Sequence, residues 1–236
     1  MTPSTVIVTG ASKGLGRELA LCFARDGHRV LGLYSRDEAA AARTGADLAA
    51  AGANSRLWRL DVAMAGTELE ECPEAQGTGP LVLINNAHPS FVPTPFHQLG
   101  WDDFERGLGI GVQGGWRCAR ALLRPLLRRG QGAIVNVLTT AVHGLPPKGF
   151  AAYAVAKHAL RGLTLALAAE YSGRGLRVFS VSPGFLRTPL TDAWDPRLVE
   201  AILRTTPAAD PADVARRIRD LVADPALPGA GEDYPV

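Results

Sequence analysis

Tyr153 and Lys157 stand four residues apart in a run, Phe150 to Tyr171, whose apolar spacing predicts a helix. Four residues make about one turn, so the two side chains share a face. A phenol beside an ammonium group titrates below its ordinary value of about 10. It can then give a proton to a carbonyl oxygen as hydride arrives at carbon. Tyr-x-x-x-Lys also arises by chance, so its surroundings carry the argument. The second chemical feature is Thr9-Gly10-Ala11-Ser12-Lys13-Gly14-Leu15-Gly16. Glycines let a backbone turn sharply and approach a pyrophosphate, and the N-terminus of a following helix offers unpaired N–H groups and a positive dipole end.

Both features need strands and helices to place them. Thr5 to Thr9 is a short β-branched run suited to a buried parallel strand. Leu15, Leu19, Cys22 and Phe23 then recur at helical spacing. Further strands are predicted at Arg29 to Tyr34, Arg56 to Leu60, Leu81 to Ile84, Ala133 to Leu138 and Arg177 to Val181. Helices are predicted at Asp37 to Ala51, Trp101 to Leu127 and Phe150 to Tyr171. This alternation predicts an α/β fold: a Rossmann-like, doubly wound parallel sheet of about seven strands with helices on both faces. The 236 residues suit one such domain. No linker or repeat divides it. Residues 188–215, richest in Pro and Thr from Asp192 to Pro211, are a candidate substrate lid.

The turn's spacing, G-x-x-x-G-x-G, together with Tyr153 and Lys157, resembles the short-chain dehydrogenase/reductase family. Further segments match that family in order. Asp61-Val62 follows strand three, Asn85-Asn86-Ala87-His88 resembles its N-N-A-G, and Pro183-Gly184-Phe185-Leu186-Arg187-Thr188 resembles its P-G-x-x-x-T. The resemblance spans residues 5 to about 190 and is strongest to the 3-oxoacyl reductase and polyketide ketoreductase branch. It implies an NAD(P)-dependent enzyme. Its cofactor would lie against Gly10, Ser12, Lys13, Gly14, Leu15, Gly16, Ser35, Arg36, Asp61, Val62, Asn86, Ala87, His88, Tyr153, Lys157, Pro183, Gly184, Leu186 and Thr188. Strand two carries no acid before Asp37 to bind a ribose 2′-hydroxyl, whereas Arg36 and Lys13 suit a 2′-phosphate. NADP(H) is therefore expected over NAD(H).

The resemblance also places a serine thirteen residues before the tyrosine, which is Thr140 here, with Thr139 as a second choice. Thr140 is the expected hydroxyl donor to the carbonyl. Two positions depart from the family. His88 replaces the glycine of N-N-A-G and is expected to be structural. Gly111 replaces an asparagine that, in the family, helps hold a water beside the lysine. Water filling that gap is the favoured explanation. A change of chemistry, toward dehydration or isomerisation, is the other. Five glycines (107, 109, 111, 114 and 115) should leave this helix loose or bulged.

Composition narrows the remaining classes. A net charge of +2 gives no global field for nucleic acid or an anionic membrane. Cys22, Cys72 and Cys118 lack metal-ligand spacing, and Cys22 and Cys118 fall in apolar helical patterns, as reduced buried thiols do. His97, His143 and His158 show no partner spacing, and no metal is expected. No apolar run reaches the roughly 18 residues of a membrane span. A cytoplasmic enzyme is expected, forming a homodimer or homotetramer. Its substrate is expected to be a hydrophobic or cyclic ketone, free or carrier-bound. Alternatives are a cofactor-dependent step without net redox change (epimerisation, dehydration or cyclisation) and a degenerate nucleotide-binding protein.

Overall fold

Val6, Ile7 and Val8 in β1 (Thr5–Thr9) are all fully buried, with Val6 and Val8 in one core and Ile7 in another. A strand reads as an unbroken apolar run when helices cover both of its faces. The computed structural model, which describes residues 3–51 and 54–236, shows that arrangement in the inner strands. The other strands are β2 (Arg29–Tyr34), β3 (Arg56–Arg59), β4 (Leu81–Asn85), β5 (Gly132–Val137), β6 (Leu176–Ser182) and β7 (Ala230–Pro235). They form one parallel sheet in the order β3-β2-β1-β4-β5-β6-β7. The order reverses between β1 and β4, which opens a crevice at the strands' C-terminal ends.

One core lies between the sheet and helices α1 (Gly14–Arg25) and α9 (Pro211–Ala223), around Leu19, Phe23, Phe179 and Ile218. The opposite core holds Leu31, Leu83, Leu122 and Leu126 under α6 (Gly114–Arg129). Helix α2 (Glu38–Ala50) is capped by Asp37, whose carboxylate accepts from the Ala40 N–H at 3.0 Å. Short helices α3 (Thr67–Glu71) and α4 (Pro73–Gln76) precede β4. Helix α7 (Ala151–Tyr171) carries Tyr153 and Lys157.

The single long helix expected over Trp101 to Leu127 is broken. Helix α5 (Trp101–Gly107) passes into a π-helical turn, Leu108–Gln113, before α6 begins. This is the loosening that the five glycines predict. Three of them also admit close neighbours. A Cβ on Gly114 would lie 2.7 Å from Val62 Cγ2, one on Gly107 would meet Ala156 at 3.2 Å, and one on Gly115 would meet Leu160 at 3.4 Å.

Strand β7 carries little apolar signal, and its sequence, Ala-Gly-Glu-Asp-Tyr-Pro, does not read as a strand. Long-range polar contacts hold it instead. The Asp233 carboxylate accepts from the Ser180 and Ser182 hydroxyls of β6, each at 2.8 Å, and from His143 Nε2 at 2.7 Å. The histidine that lacked a partner in the sequence therefore has one ninety residues away. Between β6 and α9, helix α8 (Pro196–Thr205) has no buried residue, and Leu186 bridges to Ala209. No helix among the described residues is long and apolar enough to cross a membrane.

Candidate active site

The turn after β1 is tied down on three sides. Ala11 N–H donates to Leu33 O at 2.9 Å, and the Thr44 hydroxyl donates to Ser12 O at 2.9 Å. Asn86 Nδ2 donates to Thr9 O at 2.9 Å. The Thr9 hydroxyl accepts from the N–H groups of Asn86 and Ala87, both at 2.9 Å. Thr9 and Asn86 thus fasten β1 to β4, which their sequence positions alone do not reveal. Gly10 has φ of +68°, and a Cβ there would lie 3.0 Å from Ala87 Cα; at Gly16 it would lie 2.2 Å from Gly10 O. Only glycine fits that second position. Lys13, the N-cap of α1, makes no side-chain cap, so the first-turn N–H groups of α1 remain available for an anion.

These residues border a cavity of about 730 Å³, within the usual range for small-molecule and cofactor sites. Every residue expected from the sequence at the cofactor or catalytic site lines this one cavity. At its far end Asp61 caps the 3-10 turn Val62–Met64, its carboxylate accepting from Ala63 N–H at 3.1 Å. The rim beside β2 carries Arg36, exposed and without an ion-pair partner among the described residues. Lys13 Nζ lies 2.8 Å from Asp37. That bond first, and the Ala40 N–H second, hold the Asp37 carboxyl below its ordinary range. Asp37, the nearest acid, is thereby engaged.

Helix α7 is anchored from beneath by a buried polar chain. Asn85 Nδ2 donates to Asn136 Oδ1 at 2.8 Å, Asn136 Nδ2 donates to the Thr164 hydroxyl at 2.8 Å, and that hydroxyl donates to Leu160 O at 3.0 Å. A lone polar residue such as Asn136 inside an apolar strand is the signal that could have found it. Lys157 Nζ donates to Val137 O at 2.7 Å and stands 5.7 Å from the centre of the Tyr153 ring. Burial pushes Lys157 down to about 7 and Tyr153 up to about 12. The protein alone therefore does not lower the phenol pKa; the lowering expected from the sequence takes a nicotinamide-bearing cofactor as well as Lys157.

Thr139 and Thr140, the second and first choices for the hydroxyl partner, both border the cavity, and Thr139 is the one that acts on the Tyr153 phenol. Hydrogen bonding to Thr139 is the one influence that opposes the rise of the Tyr153 pKa, without cancelling it. Thr140 also borders the cavity, but it is exposed and begins the 3-10 turn Thr140–Val142, its N–H donating to Pro183 O at 2.9 Å. Phe91 stacks on Tyr153 with centroids 4.6 Å apart and rings 13° from parallel. Phe150 and Trp194 stand edge-on around Phe91, and Trp194 Nε1 donates to Phe91 O at 2.8 Å.

His88 occupies the space beside Gly111. A Cβ on Gly111 would lie 3.3 Å from His88 Cδ2, so the imidazole, rather than water alone, takes up the room of the missing side chain. The ring also stands edge-on to Tyr153 at 4.9 Å. No group of three or more candidate metal ligands occurs among the described residues.

The model of the short chain dehydrogenase family matches residues 4–198. The chain belongs to that family. Among curated relatives of this short-chain dehydrogenase, the 3-oxoacyl-[acyl-carrier-protein] reductase of Synechocystis sp. is 31% identical over a 237-residue alignment, covering 96% of this chain and 92% of the relative. The 3-oxoacyl-[acyl-carrier-protein] reductase of Staphylococcus aureus is 32% identical over 233 residues, covering 96% and 93%. A crystal structure of a putative NAD(P)-dependent gluconate 5-dehydrogenase from Beutenbergia cavernae, with NADP bound at low occupancy, superposes with a TM-score of 0.87 at 28% identity, covering 98% of this chain and 94% of that one. The short-chain dehydrogenase described here is thus an NAD(P)-dependent oxidoreductase with a Rossmann-like sheet.

Proposed function

We propose that this enzyme uses NADPH to reduce the ketone carbonyl of a hydrophobic or cyclic substrate, free or carrier-bound, with Tyr153 as general acid. The observation that carries this reading is the single cavity joining the uncapped N-terminus of α1 to Tyr153 and Lys157. Bound there, the cofactor would supply the hydride. Tyr153 gives its proton to the carbonyl oxygen, and Thr139 donates a hydrogen bond to the same oxygen. Lys157, with one donor committed to Val137 O, keeps two for the cofactor's ribose hydroxyls and for the proton supply. Phe91, Phe150, Phe185 and Trp194 form an aromatic wall that suits an apolar or flat substrate. Residues 188–215 serve as the lid, with Trp194 as its latch on Phe91 O.

Thr139→Ala should lower kcat by about 100- to 1,000-fold, as expected for loss of one donor to a developing oxyanion, while Thr140→Ala stays within about threefold of the native enzyme. Steady-state reduction of a hydrophobic 1,3-diketone or an acetoacetyl thioester checks this. The opposite ranking would return the role to Thr140.

The preference for NADPH rests on Arg36, at the rim beside Ser35 and without an ion-pair partner among the described residues, and on Lys13, which neutralises Asp37. A guanidinium binds a 2′-phosphate through two parallel hydrogen bonds. Arg36→Ser should raise the NADPH Kd at least about tenfold and leave NADH nearly unchanged, since an ionic hydrogen bond contributes about 1.5–3 kcal/mol. Titration of protein fluorescence with each nucleotide tests it, and equal loss for both would refute the preference. Exposed Trp116 on α6 with Val155 and Leu165 on α7 support assembly of two or four copies through these helices.

A further inference from the structure

His88 presents one ring nitrogen to a carbonyl and the other to the interior. Nδ1 lies 2.8 Å from Pro89 O. A carbonyl only accepts, so Nδ1 carries the proton and Nε2 is a bare acceptor. Nε2 is inaccessible to solvent and has no hydrogen-bond partner among the described residues. A buried acceptor left unpaired is costly, so an atom in this state marks a place where a donor belongs.

The surroundings identify the donor. Gly111 and the faces of Tyr153 and Phe91 offer none to Nε2, at 3.9 Å from the position of a Gly111 Cβ and with ring centroids 4.9 and 6.4 Å away. Lys157 Nζ stands 5.7 Å from the centre of the Tyr153 ring, against which His88 stands edge-on at 4.9 Å, and both border the same cavity; Asp103 and Arg106, on the α5 side, are paired with each other. Burial first and Lys157 second push His88 down to about 3, so the ring stays neutral and Nε2 stays an acceptor at working pH. No carboxylate acts on Lys157; burial alone lowers its pKa. Its ammonium donates to Val137 O and retains two donors.

We infer that His88 Nε2 is the hydrogen-bond acceptor that positions the Lys157 ammonium beneath Tyr153 through one bridging water, and that Gly111 exists to make room for it. His88 is thus a positioning residue acting through Lys157, a role resting on the proposed function of Lys157 in proton supply. An acceptor for an ammonium stabilises its charged form and holds its proton more firmly. The small residue on the π-helical turn and the large one after β4 are two halves of one arrangement. A side chain at 111 would displace the ring through Cδ2, and a glycine at 88 would leave the ammonium without this acceptor.

The test uses the full chain, which has only three lysines, Lys13, Lys148 and Lys157. With lysine labelled at Cε, the Lys157 resonance can be followed against pH without turnover. His88→Leu fills the volume but accepts nothing, and should lower the proton affinity of Lys157 about tenfold, the size expected for loss of one hydrogen bond to the charged form. His88→Gln retains an acceptor and should stay within about threefold. Gly111→Val keeps the imidazole but displaces it, and should move Lys157 in the same direction as His88→Leu. It also keeps the test decisive where His88→Leu does not fold. An unchanged Lys157 titration in His88→Leu, or in Gly111→Val when His88→Leu is unfolded, overturns the inference. Ketone reduction is measured separately, so its absence in the native enzyme would reject the proposed reaction while the titration still judges His88.

Discussion

Tyr153→Phe is expected to lower kcat by about 100- to 10,000-fold, the range that a positioned general acid contributes, while NADPH binding stays within about threefold. The substitution removes one oxygen and little else. Phe91 stacks on the ring face at 4.6 Å, and His88 and Phe150 meet it edge-on, contacts that phenylalanine keeps. The oxygen removed carries no strong hydrogen bond to another side chain among the described residues, and Thr139 acts on it only enough to oppose part of the rise in its pKa, so stability should change by no more than about 1 kcal/mol. The loss of rate would therefore report chemistry rather than packing. Following NADPH absorbance under single-turnover conditions, with thermal melting alongside, checks both halves. Native turnover in the variant would remove Tyr153 from the acid role. A full loss together with weakened nucleotide binding would instead make the ring part of the cofactor site.

Local signals made most of this molecule legible. β1, β2, β4, β5 and β6 are short β-branched or apolar runs because both faces of the sheet are buried, and the glycine turn follows β1 where the order of strands demands it. The loosened helix was readable from glycine count alone. What escaped depends on distance. β7 is held by Asp233 accepting from Ser180, Ser182 and His143, a set no local pattern encodes. The Asn85–Asn136–Thr164 chain crosses two strands and a helix. Thr139 and Thr140 are adjacent with the same side chain, so no local pattern separates them, whereas in the fold Thr139 caps the 3-10 turn that Thr140 begins. His88 and Gly111 each look like an isolated departure from the family pattern. They become intelligible only when 3.3 Å separates the ring from the place where a side chain would begin.

Lys157→Met should abolish reduction and at the same time raise stability near neutral pH and below. Lys157 is almost wholly buried, and burial brings its pKa from 10.5 to about 7. Below pH 7 the folded protein holds an ammonium that the unfolded chain would hydrate freely, and the difference is worth on the order of 5 kcal/mol against folding. Between pH 7 and about 10.5 the folded lysine has lost its proton while the unfolded one keeps it. In that window the unfolded state binds more protons, so native stability rises with pH. Methionine has a similar length and no charge, but it leaves Val137 O without its 2.7 Å donor, which offsets roughly 1–3 kcal/mol of the gain. The net expectation is a variant more stable by roughly 2–4 kcal/mol at pH 6, with the advantage shrinking toward pH 9. Urea unfolding at both values measures it. An advantage that grew with pH, or a variant less stable at pH 6, would show that the lysine is not held against its own desolvation. The outcome expected here makes Lys157 a residue kept for chemistry at a cost in folding, as active-site groups with strongly displaced pKa values generally are.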